Sequence, residues 1–98
     1  MNTAKNTTNT NTAAELNSRL IAASEDGESG VVQLLLEAGA DANAWGNMAL
    51  ASAAYHGHCE VVKLLLESGA DVHAMDDLMD AVDDEVAKIL ADWKEANK

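Results

Sequence analysis

Apolar positions along this chain change period and density in a repeating way. Leu16, Leu20, Ala23 and Ser24 fall on one face of a 3.6-residue helix. Thr12-Ala13-Ala14-Glu15 ahead of them has the form of a capping box, in which a hydroxyl and a carboxylate each satisfy a free backbone N–H. The run stops at Asp26-Gly27, since glycine accepts the positive φ that closes a helix. A denser run follows. Val31, Val32, Leu34, Leu35 and Leu36 predict a helix over 29–38, with an apolar face broad enough to need cover on more than one side. Gly39 ends it, and "ADANAWGN" (40–47) reads as a loop or turn. The cycle then returns as a helix of small residues over 48–56, a break at Gly57, a Leu-rich helix over 59–68 and a stop at Gly69. A third pass is shorter. "DDLMDAV" (76–82) predicts a couple of turns, and 84–96 is an amphipathic helix with Val86, Ile89, Leu90 and Trp93 at i, i+3, i+4 and i+7.

The first two passes share wording as well as rhythm. "GESGVVQLLLEAGADANA" (27–44) aligns with "GHCEVVKLLLESGADVHA" (57–74) at an offset of thirty. One such unit cannot bury its own apolar face, whereas stacked units cover one another, so the repetition itself builds the core.

Gly57-His58, Glu60-Val61-Val62, Leu64-Leu65-Leu66 and Gly69-Ala70-Asp71-Val72, with Val31-Val32, Leu34-Leu35-Leu36, Gly39-Ala40-Asp41 and Asn43-Ala44 in the earlier copy, resemble the ankyrin repeat family. The resemblance implies an all-α solenoid of stacked helix–turn–helix units. It divides the chain into an N-terminal capping repeat (15–44), an internal repeat (45–74) and a truncated C-terminal cap (75–98). The family period is about 33 residues, and the three positions missing here lie between Ala44 and Leu50, where members build a hairpin finger. Shortened inter-repeat loops are therefore expected. The family's Thr-Pro-Leu-His signature reads Met48-Ala49-Leu50-Ala51. The resemblance also implies that His58 helps to cap the second helix of its unit. It places Asn43 where some members are hydroxylated, and His73 in the equivalent place.

Residues 1–14 precede the array as an Asn/Thr-rich tail. Nine of the eleven residues from Asn2 to Thr12 are Asn or Thr, which leaves no apolar area to offset chain entropy, so disorder is expected. Neither a run of eighteen apolar residues nor a secretory leader pattern is present, and the single cysteine excludes an intrachain disulfide. A cytoplasmic protein is expected. Seventeen acidic residues against six Lys and Arg give a formal net charge of -11. Nucleic-acid phosphates and anionic membrane would be repelled, and a basic protein partner attracted. An array of two and a half units is near the minimum for stability, so self-association is a further expectation.

Candidate chemistry is sparse. His56, His58 and Cys59 lie within four residues, with His73 further on. They suggest a small metal-binding or catalytic protein, although zinc needs four placed donors and a nucleophile needs a base and an orienting group. The dipole at the start of the second helix would lower the pKa of Cys59. The acidic run from Asp76 to Glu85 suits either the start of the last helix or an inhibitor that imitates nucleic-acid phosphates. It lacks the calcium-loop pattern. Trp45 reads either as core packed over the shortened loop or as an exposed anchor. Trp93 reads as a lid over the last unit. Family members bind proteins on the concave face formed by the loops and first helices. The resemblance maps that face onto Glu25, Asp26, Trp45, Asn47, Tyr55, His56, Met75, Asp76 and Asp77. The function expected is non-catalytic protein recognition, without cofactor or metal, of a partner with an apolar spot and a basic rim.

Overall fold

A computed structural model of the chain describes residues 13–96, save the side chains of residues 75 and 77–80. The expected tail up to residue 12, Thr12 of the capping box included, lies outside the described residues. Five α-helices and one 3₁₀ segment make up the described chain: α1 (Ala13–Asp26), α2 (Ser29–Glu37), α3 (Ala44–Tyr55), α4 (Cys59–Glu67), the 3₁₀ segment (Val72–Ala81) and α5 (Asp84–Ala96). Ala13 and Ala14, assigned to the tail above, are the first turn of α1. Among the described residues no helix is long and apolar enough to cross a membrane.

The helices stack in pairs. α1 lies on α2 and α3 on α4; across units α1 meets α3, α2 meets α4 and α4 meets α5, while the 3₁₀ segment bridges α3 and α5. The core repeats with the sequence. Leu20 and Leu50, Ala23 and Ala53, and Val32 and Val62 are buried pairs at the offset of thirty. Val61 and Leu65 recur twenty-five residues on as Val86 and Leu90, also buried. Small residues on α3, Ala49, Ala53 and Ala54, let the first helices approach closely.

Each first helix closes by the same turn. Glu28 N–H donates to the Ala23 carbonyl at 3.0 Å, and His58 N–H to the Ala53 carbonyl at 2.9 Å, the six-to-one bond of a Schellman motif. That motif needs a left-handed residue, supplied by Gly27 (φ 76°) and Gly57 (φ 75°). At Gly27 space is the second constraint: a Cβ would sit 2.5 Å from the His58 ring.

One expectation is met only in part and another needs correction. The Leu-rich helix of the first unit is covered by α1 and α4, but part of its broad apolar face stays open: Val31 is 42% and Leu34 66% exposed. Their counterparts Val61 and Leu64 are buried and half-buried. The reason is position, since α4 lies between α2 and α5 while α2 has a neighbouring unit on one side only. The third unit opens with a 3₁₀ segment rather than α turns. At ~2.0 Å rise per residue its ten residues span about 20 Å, and the segment packs on both α3 and α5.

Ser24 is fully buried, and its Oγ has no hydrogen-bond partner among the described residues. The second unit has Ala54 in that place. Ser24→Ala should therefore raise stability by up to ~1 kcal/mol, a Tm gain of several degrees in thermal melts. Leu65→Ala should cost ~2–5 kcal/mol through lost burial and a cavity, while Leu34→Ala on the open end should cost under ~0.5 kcal/mol. Equal losses at Leu34 and Leu65 in denaturant titrations would contradict the stacked arrangement.

Candidate functional site

The first helices leave one face to solvent. The repeat offset aligns Glu15 with Trp45, Ser18 with Met48, Ala22 with Ser52, Glu25 with Tyr55 and Asp26 with His56. From Met48 onward, steps of four and three residues (Met48, Ser52, Tyr55) keep these positions on one side of α3. Trp45 is 56%, Met48 49% and Tyr55 67% exposed. Glu25 and Asp26 are exposed at the matching end of α1. An apolar row on α3 thus stands beside acidic positions on α1. Its far end is held by ring contacts. Tyr55 meets His56 edge-on with centroids 5.7 Å apart, and His56 stacks on His58 at 6.0 Å. His56 Nδ1 donates to the Ser52 carbonyl at 2.8 Å.

The head of the row is a short reversal where the family finger would stand. Trp45 (φ 52°, ψ 45°), Gly46 (φ 69°, ψ 38°) and Asn47 (φ 66°, ψ 33°) are left-handed in succession, and the regular helix starts at Met48. The turn drives Asn47 inward. Its Oδ1 accepts from Asp71 N–H at 3.0 Å, and Asn43 Oδ1 accepts from the same N–H at 2.9 Å. Asn43 Nδ2 donates to the Gly69 carbonyl at 2.9 Å. The first unit makes the matching bond: Asn17, thirty residues before Asn47, accepts from Asp41 N–H at 2.7 Å. Asp41 and Asp71 also turn their own loops, accepting from Asn43 and His73 N–H at 2.8 and 3.0 Å. Asn47, expected among the contact residues, is instead buried and ties the start of its own unit to that unit's closing loop, while Asn43 makes the bond from the preceding unit.

In the third unit Asp76 is exposed but engaged. It accepts a hydrogen bond and ion pair from Lys94 of α5, and His73 Nδ1 lies 3.9 Å from its other oxygen. The Lys94 ammonium holds the Asp76 carboxyl below its usual range. Asp76 therefore ties the 3₁₀ segment to α5. The side chains of Met75 and Asp77 lie outside the described residues.

The His/Cys cluster does not converge. Burial, then the carboxylates of Glu85 and Asp83, push the Cys59 thiol above its ordinary value. This outweighs the helix dipole and reverses the expected direction, and a thiol kept protonated is a weak nucleophile and ligand. His58 does not use its side chain to cap α4. It lies against Gly27, and its Nε2 donates to the Glu25 carbonyl of the preceding unit at 2.9 Å. Among the described residues no group of three His, Cys, Asp or Glu side chains is placed to hold a metal ion. A shallow cleft of about 320 Å³ opens between α4 and α5, lined by Lys63, Glu67, Ile89, Asp92, Trp93 and Ala96. It contains none of the three residues of that cluster. Trp93 is half-buried against the core, as a lid would be.

Met48, which is 49% exposed, was not among the expected contacts. Its spacing of seven from Tyr55, along the regular helix that starts at Met48, is the signal that puts the two on one side of α3.

The Asp76–Lys94 pair generates a pH dependence. The folded carboxyl stays ionised to lower pH than the unfolded one. Its contribution is therefore full above the unfolded value of about 3.9 and disappears as pH falls through the lower folded value. Asp76→Asn should melt below the parent near neutral pH, and the gap should close on acidification below about pH 4, the unfolded value. A gap that stays constant over that range would exclude the pair as its source.

Against known proteins, a family model described as "Ankyrin repeats (3 copies)" matches residues 2–76. No curated protein and no solved structure matches the chain.

Proposed function

The chain belongs to the ankyrin repeat family, and from that premise we propose that it is a non-catalytic recognition module whose partner docks on the face of the first helices. Ankyrin repeats are generally protein–protein interaction modules, and the family is typically non-enzymatic. The observation that carries the reading is the exposure of Trp45 in the left-handed turn and of Met48 and Tyr55 on the helix that follows it, each about half exposed or more. Trp and Tyr concentrate binding energy when a partner desolvates them. Glu25 and Asp26 flank the row, so a complementary partner carries an apolar spot edged by Lys or Arg. The net charge of -11 favours a protein partner over nucleic acid. His56 borders the row, and Asp76 contributes long-range attraction rather than a contact.

Phosphate mimicry by the run from Asp76 to Glu85 is the rival reading. It is disfavoured because Asp76 is occupied by Lys94, Asp83 lies against the Gly57 turn, and Asp84 and Glu85 lie in the first turn of α5. Chemistry at His56, His58 and Cys59 is disfavoured by the raised thiol pKa and by the imidazoles' bonds to carbonyls.

Selection from a phage-displayed random dodecapeptide library tests the reading. Enriched peptides should carry an aromatic or aliphatic residue flanked by Lys or Arg. Trp45→Ala and Tyr55→Ala, each verified as folded, should weaken the selected peptide more than about tenfold, or ~1.4 kcal/mol. Neutralising Asp77, Asp80 and Asp84 to Asn, which spares the Asp76–Lys94 pair, should mainly slow association in ~0.15 M salt. Loss of binding in the Asn variant beside normal binding by Trp45→Ala would favour the mimic.

A further inference from the structure

The three left-handed residues ahead of α3 do not share one explanation. Gly46 (φ 69°) has open space around it and adopts this conformation without steric cost. Asn47 is a residue type that tolerates the left-handed region, and there its buried carboxamide reaches Asp71 N–H in the closing loop of the same unit. Trp45 has neither reason. Its φ of 52° brings Cβ too near the following carbonyl for an L-residue, and its exposed indole gives the fold little packing in return. A glycine at 45 would make the same turn with less strain. The fold accounts for the turn but not for an aromatic side chain at its first position.

The same turn is fastened at both ends. Asn43 precedes it and Asn47 closes it, and both carboxamide oxygens accept from the single Asp71 N–H, at 2.9 and 3.0 Å. The Gly69 carbonyl holds Asn43 from its other side. A backbone segment gripped in this way has few conformations open to it, and an indole has only two side-chain torsions to settle. Met48, half exposed at the start of the regular helix, stands next in the row.

We propose that the turn at Trp45, Gly46 and Asn47 is a presentation device. It holds the Trp45 indole outward in a pre-ordered position at the head of the row, at a cost in fold stability, so that the partner meets an anchor needing little further ordering. The inference rests on the first-helix face being the recognition surface. It adds that Trp45 is retained for binding against the interest of the fold. The partner side is then an apolar patch edged by Lys or Arg that receives a rigid indole, and ordering entropy saved on this chain appears as affinity.

Trp45→Gly separates the two effects. The variant should melt above the parent by about 4 °C or more, because the strain is relieved. It should bind the dodecapeptide selected on the parent chain more than about tenfold more weakly. Backbone amide order parameters over 45–47 in the parent should match those of α3, near ~0.85, and values under ~0.6 would overturn the presentation role. A Trp45→Gly protein that melts below the parent would show that the indole supports the fold, which overturns the inference. So would a stabilised variant with unchanged peptide affinity. Tyr55→Ala, measured alongside, tells the two failures apart. If it weakens the peptide while Trp45→Gly does not, the face is right and the device is wrong. If neither variant affects binding, the face itself is wrong and the inference falls with it.

Discussion

Mutual cover between units is the constraint from which the rest of this structure follows. No helix pair here can bury its own apolar face, so each depends on the pair beside it. α4 shows the satisfied case, with α2 on one side and α5 on the other, and its Val61, Val62, Leu65 and Leu66 are buried. α2 shows the unsatisfied one, with the same pattern of residues and two of them left in solvent. At the opposite end α5 supplies closure by being amphipathic, with Val86 and Leu90 inward and charged residues outward.

Stacking also decides where recognition can occur. The Leu-rich second helices turn their apolar residues toward neighbouring helices, apart from Val31 and Leu34 at the open end. The first helices approach one another through alanines, which leaves their long side chains on the free face. Polar groups then fix geometry rather than supply most of the energy: Asn17 on Asp41 and Asn47 on Asp71 within their units, and Asn43 on Asp71 and His58 on the Glu25 carbonyl between units. Neutral hydrogen bonds of this kind contribute ~0.5–1.5 kcal/mol each, but a mis-stacked unit would leave several backbone groups unsatisfied at once. The face bearing Trp45, Met48 and Tyr55 inherits its rigidity from that geometry.

The helices that pack in the middle were legible from their pattern. The Leu-rich runs predicted the second helices to within one residue at their ends, because Gly39 and Gly69 punctuate them, and the acidic start and apolar spacing of α5 marked its bounds. Exposure of Val31 and Leu34 was not legible, since a run of apolar residues does not state how many neighbours it has. The left-handed turn was not legible either. Hydropathy carries no information about the sign of φ, and Trp-Gly-Asn reads as loop whichever way it winds. That one missing piece explains the site error at Asn47, which it buries, and it decides between the two readings of Trp45 by leaving the indole outside. The raised thiol of Cys59 comes from burial and then from Glu85 and Asp83, more than twenty residues away in sequence and brought near by the stacking of α5 on α4.

Amide hydrogen exchange, followed residue by residue on the free protein, tests mutual cover most directly. If burial depends on having a unit on each side, the amides of Val62, Leu65 and Leu66 in α4 exchange only through global unfolding. Those of Leu34, Leu35 and Leu36 in α2 then open sub-globally, at least about tenfold faster. Protection in α2 equal to or greater than that in α4 would contradict the account, because it would mean that the end helix is held by something other than its single neighbour.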